Sequence, residues 1–145
     1  MAEAVALLAP VPHMHLDSGL DVCRTKGSVI FGSDRWGLFE DRGVAPGAPV
    51  YIYASLLHAK GQPLVTWQAE YVRYIRHEEM HGAETQRRPP TTEAETEGTF
   101  VGYWEVRNLR RLEPDEAFPI TDLTPEDSAH FSQVFVPHGP VAVAG

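Results

Sequence analysis

The chain has 145 residues and a formal net charge of −8 at pH 7, with 20 acidic residues against 12 lysines and arginines. This balance excludes a protein that coats nucleic acid through a broad cationic face, although it leaves room for a local binding site. Twelve glycines and twelve prolines interrupt the chain often, which favours short strands and turns over a helical bundle. We therefore expect a single domain over residues 1–145, built around one core.

The N-terminal segment and the single cysteine indicate the cellular setting. The segment lacks a basic stretch before its apolar run, and Pro10 and Pro12 interrupt that run, so it does not match a secretory signal. No apolar window approaches the roughly 20 residues of a membrane-spanning helix. The sequence thus predicts a cytoplasmic protein without a membrane partner, in which Cys23 fills a small, half-buried position.

The first third of the chain predicts two short strands and one helical piece. Residues 4–9 are apolar until Pro10 and predict a buried first strand. A helical piece is expected near 18–25, with Gly27 at its end. The segment 28–32 has the β-branched and aromatic content of a second buried strand.

A turn and a third strand follow. The turn carries Trp36, and a Pro-Gly turn then leads into a strand at 50–54. In that strand Val50, Ile52 and Ala54 face one way, whereas Tyr51 and Tyr53 face the other. The tyrosine side is a candidate wall of a binding surface.

The two longest predicted strands lie at 63–76 and 99–112 and pair antiparallel. Both segments alternate bulky apolar and polar residues, as a strand with one buried face requires. In the first of them a core row is expected, made of Val65, Trp67, Ala69 and Tyr71. In the second, Phe100, Gly102, Trp104 and Val106 form the corresponding row.

The segment between these strands, 77–98, is polar and acidic and predicts a long excursion from the sheet. It begins with His77-Glu78-Glu79-Met80-His81, the H-E-x-x-H pattern of zinc peptidases. That chemistry requires both imidazoles on one face of a helix. The β-branched residues before His77 and the glycine after His81 favour an exposed loop after a strand instead, and no metal or other cofactor is expected.

The C-terminal part predicts one more helix and two extended segments. A threonine cap and a proline at the first helical position place the helix at 124–133. Residues 134–136 and 141–144 are apolar and extended.

Basic residues concentrate in or beside the two long strands. They are Arg73, Arg76, Arg87, Arg88, Arg107, Arg110 and Arg111. Acidic residues gather instead at 93–97, 113–116 and 122–127. Two interpretations stay open: a solvated sheet face with acidic loops, and a functional basic stripe.

The order of elements resembles the PUA-like domains, in particular their EVE and ASCH groups. The resemblance rests on Arg35-Trp36-Gly37, on the Pro46-Gly47 turn before Val50–Tyr53, and on the strand that contains residues 100–106. It covers about residues 28–120. It implies a small pseudo-barrel and the binding of modified bases in nucleic acid, as in EVE domains, or an amidohydrolase activity, as in some ASCH proteins. A catalytic lysine of the ASCH kind has no counterpart here, because Lys26 and Lys60 lie in unsuitable contexts.

These observations lead to one fold and three functional hypotheses. The fold is α+β and mostly β: a PUA-like pseudo-barrel of about six mainly antiparallel strands with two or three short helices. The leading function is recognition of a nucleotide or modified base in RNA or DNA, because unstacked bases bind on aromatic and guanidinium planes. Its predicted contacts are Ser33, Arg35, Trp36, Tyr53, Trp67, Tyr71, Arg88 and Trp104. The alternatives are a small-molecule hydrolase, either ASCH-like or zinc-dependent through His77 and His81, and a protein-interaction module.

Overall fold

A computed structural model of the protein describes residues 5–33, 38–39, 43–55, 64–89, 102–125 and 140–144. Its elements in chain order are β1 (Val5–Pro12), α1 (His13–Lys26), β2 (Val29–Ser33), β3 (Pro49–Ser55), β4 (Leu64–Val65), β5 (Trp67–Arg76), α2 (Gly82–Thr85), β6 (Gly102–Arg111), β7 (Phe118–Pro119) and β8 (Val141–Ala144). Short 3-10 helices span His77–Glu79 and Ile120–Asp122. The predicted class, α+β and mostly β, is confirmed.

Six strands form one mixed sheet in the order β2-β6-β5-β3-β1-β8, and β4 pairs with β7 in a small second sheet. All neighbours in the large sheet are antiparallel except β1 and β3, which run parallel. Within the described residues the order is linear, with β2 and β8 at the two edges, so the sheet is not closed into a barrel. The extended path predicted for residues 64–76 is confirmed, with a break at Thr66.

The large sheet buries side chains on both faces. Helix α1 covers what we call the first face, which carries Leu7, Val50, Ile52, Trp67, Ala69, Tyr71, Trp104 and Val106. Leu16 of α1 and Cys23 pack in the same cluster. The second face carries Leu8 and Tyr53, and Val65 of β4 and Ile120 of the second 3-10 helix pack in the same cluster. The predicted alternation in β3 is therefore confirmed, since Val50, Ile52 and Ala54 lie opposite Tyr51 and Tyr53.

Two β-bulges shape the pair β5 and β6. Gln68 lies opposite Arg110 and Glu70 opposite Arg107, so β6 holds an extra residue there. Tyr71 lies opposite Val106 and Arg73 opposite Glu105, so the next extra residue lies in β5. Because each strand holds one extra residue, the pairing register beyond both bulges is restored. The extra residue in β5 also shifts, by one position from Arg73 on, the alternation of its side chains between the two faces. As a result Arg73 shares the second face with Gln68 and Glu70.

The second face is covered at two places and polar between them. At the side of β3, β1 and β8, the small β4–β7 sheet and Ile120 close over an apolar cluster. At the other side, Met80 packs on Ile30, Ile75 and Tyr103. The edge of β2 is also covered, because the Ile30 N–H donates to the Arg87 carbonyl at 2.9 Å. A polar strip on β5 and β6 separates the two covers.

Helix α1 differs from its prediction in extent, since it begins at His13 rather than near residue 18 and ends at Lys26. Strand β1 runs directly into it. Gly27 closes the helix at φ 89° and donates its N–H to the Cys23 carbonyl, as predicted for a glycine stop. Neither described helix is long and apolar enough to cross a membrane.

Two other predicted boundaries are also different. Strand β1 continues through Pro10 and Pro12. Proline has no N–H to donate, but β8 pairs only with Val5–Leu8, so no hydrogen bond to β8 is lost at either proline. At the predicted helix start, Pro125 forms a β-bridge with Val143 instead. The rest of that predicted helix, 126–133, lies outside the described residues.

Candidate functional site

Three of the predicted binding aromatics come together, but inside the core. Trp67, Tyr71 and Trp104 lie on the first face with exposed fractions of 4%, 4% and 1%. Phe39 stacks on Tyr71 with ring centroids 5.8 Å apart, and the Arg111 guanidinium lies 5.9 Å from the Trp67 ring centre. The faces of these rings are therefore used in packing.

Tyr53, which the sequence grouped with Trp67, lies on the opposite face of the sheet under Val65 and Ile120. Its position follows from the period of two along β3, which directs Ile52 and Tyr53 to different sides. Burial raises the pKa of both Tyr53 and Tyr71 above the usual range of tyrosine. A single pocket lined by Tyr53 and Trp67 is not formed.

The remaining predicted contacts have separate surroundings. Ser33 is buried at the end of β2. Arg88 is buried as well: its Nη1 donates to the Ile30 carbonyl at 2.9 Å, and its guanidinium lies 5.1 Å from the Tyr103 ring centre. Arg88 thus secures the β2 edge. Arg35 and Trp36 lie outside the described residues.

The H-E-x-x-H segment does not form one helix. His77 belongs to the 3-10 helix that ends at Glu79, and Met80 and His81 have extended backbones, with φ −77° and −129°. The two imidazoles therefore do not lie one α-helical turn apart. Within the described part of the chain, no group of three His, Cys, Asp or Glu side chains is placed to hold a metal ion.

The polar strip of the second face carries a row of three half-exposed arginines. The side chains of Arg73, Arg107 and Arg110 are 52%, 55% and 53% exposed. Their partners on the same strands are Glu105, Glu70 and Gln68, and Asn108 donates to Glu70. We call Arg73, Arg107 and Arg110, with Gln68, Glu70 and Asn108, the arginine face.

Arg73 is oriented by a buried carboxylate. Its Nε donates to Glu105 Oε1 at 2.7 Å, and the Ser28 hydroxyl donates to Glu105 Oε2. Arg87 completes the network, since its Nη1 donates to Ser28 Oγ at 2.8 Å and to the Lys26 carbonyl at 2.6 Å. Because Glu105 is only 6% exposed, this network holds Arg73 at a defined position.

Arg107 is oriented in the same way, at longer distance. Its Nε lies 3.4 Å from Glu70 Oε1, and that oxygen also accepts a bond from Asn108 Nδ2 at 2.7 Å. Asn108 is the residue of the β6 bulge with positive φ, at 54°. Among the described contacts, both Arg73 and Arg107 thus use Nε alone toward their carboxylates.

Arg110 differs, because a carboxylate already occupies its Nη groups. Glu116 lies 3.3 Å from Nη1 and 3.5 Å from Nη2, and Gln68 Oε1 accepts from Nη2 at 3.0 Å. The N–H of Glu113 donates to Glu116 Oε1 at 3.0 Å. This backbone bond, followed by Arg110, lowers the pKa of Glu116, so Glu116 is an anion at neutral pH.

The three arginines occupy successive levels along the strands. Arg110 lies level with Gln68, Arg107 with Glu70, and Arg73 with Glu105. With a rise of about 3.3 Å per residue, levels two residues apart are separated by roughly 7 Å. The sequence had shown these arginines as a basic stripe but did not assign them to the site, because the bulge that turns Arg73 to this face leaves no recognisable signal.

No protein-family model fits the chain, and no curated protein is significantly similar to it.

Proposed function

We propose that this protein is a small module that binds a nucleotide or a nucleic acid. The observation that carries the proposal is the pair of open guanidinium forks of Arg73 and Arg107, each fixed by an Nε bond to a glutamate. A guanidinium that is bound through Nε still has the N–H groups of Nη1 and Nη2 to donate to another acceptor. That arrangement suits a phosphate, which accepts two parallel N–H bonds from one fork.

The charge of the face fits a specific contact better than long-range attraction. Three arginines stand against three glutamates, Glu70, Glu105 and Glu116, so the strip is close to neutral. This agrees with the net charge of −8, which disfavours binding by counterion release alone. We therefore expect modest affinity, set by the geometry of the forks.

Base contacts are available beside the forks. The amides of Gln68 and Asn108 lie on the arginine face; their described bonds use Gln68 Oε1 and Asn108 Nδ2, which leaves Gln68 Nε2 and Asn108 Oδ1 for a base edge. Half-buried Tyr51, whose ring packs against Phe118, lies next to Gln68 on β3. Amides read base edges, and an aromatic ring supports stacking. The resemblance to PUA-like domains adds a reason to expect a modified base. Contacts through Arg35 and Trp36, like the pseudo-barrel itself, remain part of this proposal.

Fluorescence anisotropy with labelled pyrimidine oligonucleotides tests the proposal. Arg107→Gln removes one exposed fork without touching the core, and we expect binding to weaken about tenfold, the effect of one charge-assisted contact of roughly 1.4 kcal/mol. Arg24→Gln on α1 is the matched control, since it removes the same charge from an exposed position outside the face. An equal loss of affinity in Arg107→Gln and Arg24→Gln would contradict the proposal. So would a parent protein that binds neither nucleotides nor oligonucleotides.

A further inference from the structure

Resting on the proposed function, we infer that the ligand of the arginine face is a single-stranded phosphodiester chain. It lies along β5 and β6 and places consecutive phosphates on Arg73, Arg107 and Arg110. The phosphate at Arg110 replaces Glu116 as the partner of the Arg110 Nη groups. Glu116 is therefore a built-in competitor that weakens binding.

The spacing of the three arginines supports a linear ligand. They lie at three successive levels of one antiparallel pair, roughly 7 Å apart, rather than around a common point. A mononucleotide places its phosphate on one fork only. A chain that runs parallel to the strands meets all three in sequence.

The surroundings of the strip limit the ligand to one row of phosphates. Exposed acids lie beyond both ends, Glu78 and Glu79 after β5 and Glu113 and Asp115 after β6. One apolar cover closes its β3 side, and the Met80 cover lies beyond Arg73, on Ile75 and Tyr103 of the same two strands. A duplex carries two rows of phosphates, and only one of them has arginines to meet, so the second row would face a surface of acidic or apolar character.

The contacts of Glu116 show why it gives way to a phosphate. Its distances to Arg110, 3.3–3.5 Å, exceed the 2.7–2.9 Å that is usual for charge-assisted bonds. Its side chain is 42% exposed. Its bond from the Glu113 N–H, at 3.0 Å, does not involve Arg110 and is retained when Arg110 turns to another anion.

A length series separates this inference from the proposed function. The probes are thymidine monophosphate, 5′-phosphorylated (dT)3, which carries three phosphates, (dT)6, (rU)6 and a 12-base-pair duplex, each titrated at several salt concentrations. We expect affinity to rise steeply from the monophosphate to the trimer and little beyond it, with weaker binding of the duplex. Three phosphate contacts predict a slope of log K against log salt of about −2 for (dT)6, and Arg107→Gln reduces that slope by about 0.7.

Glu116→Gln supplies an effect of opposite sign. We expect (dT)6 to bind about three- to tenfold more tightly to this variant, and the gain to vanish in the double variant that also carries Arg110→Gln. Circular dichroism melting shows whether each variant is folded. If the monophosphate binds as well as (dT)6, or if Glu116→Gln does not tighten binding, the inference is wrong while the proposed function stands. If no probe binds, both are wrong.

Discussion

At the scale of single residues, Asn108 fixes the arginine face. Its positive φ of 54° is tolerated by asparagine, and its amide holds Glu70, which in turn orients Arg107. We predict that Asn108→Ala lowers the free energy of unfolding by about 1–2 kcal/mol, because it loses both the amide bond and the residue type suited to this backbone. Urea denaturation measures this.

Asn108→Gly is the matched control, because glycine accepts the same φ but lacks the amide. Its expected loss is smaller than that of Asn108→Ala. Equal stability of the alanine variant and the parent protein would contradict the role given to Asn108.

Two buried tyrosines predict how stability depends on alkaline pH. Burial raises the pKa of Tyr53 and Tyr71 above that of an exposed tyrosine, 10.0. A raised pKa in the folded state means that the neutral hydroxyl is favoured there. The contribution of these tyrosines to the free energy of unfolding is therefore complete below pH 10 and is lost as the pH rises further. Absorbance at 295 nm should show tyrosines that ionise only together with unfolding. Full ionisation of all tyrosines near pH 10 in the folded protein would contradict the burial of these two.

At the scale of elements, the Glu105 network joins α1, β2, β5 and β6 to the segment that covers one side of the second face. Ser28 follows the end of α1, and Arg87 lies beside the β2 edge. We predict that Glu105→Ala destabilises the fold by about 3 kcal/mol, since a largely buried carboxylate is lost from hydrogen-bonded partners.

Hydrogen exchange at one amide reports this linkage directly. The Ile30 N–H bonds to the Arg87 carbonyl, and Glu105→Ala releases the Ser28–Arg87 contact nearby. Exchange at Ile30 should accelerate more than exchange at Val50 in the far part of the sheet. An unchanged exchange rate at Ile30 would show that the Glu105 network does not hold the Arg87 segment against the edge of β2.

Apolar periodicity predicts the strands of this fold, whereas strand pairing decides where the bulges lie. The long strands and the alternation in β3 follow from apolar periodicity, which is a local property. The bulges of β5 and β6 depend on pairing, so the side on which Arg73 emerges is not readable from its neighbours in the chain. The aromatic prediction placed Trp67, Tyr71 and Trp104 in a pocket, whereas burial of large rings stabilises the core most.

At the scale of the whole molecule, a chain with a net charge of −8 presents a row of three exposed arginines with exposed acids beyond both ends of the row. The central claim is that this row, and not the buried aromatic cluster, meets the ligand. The arginine Nε–H and tryptophan indole signals in an NMR titration with (dT)6 test it most directly. We expect shifts at Arg73, Arg107 and Arg110, with the signals of Arg24 and of the Trp67 and Trp104 indoles unchanged. Shifts at those indoles with silent arginines would contradict it.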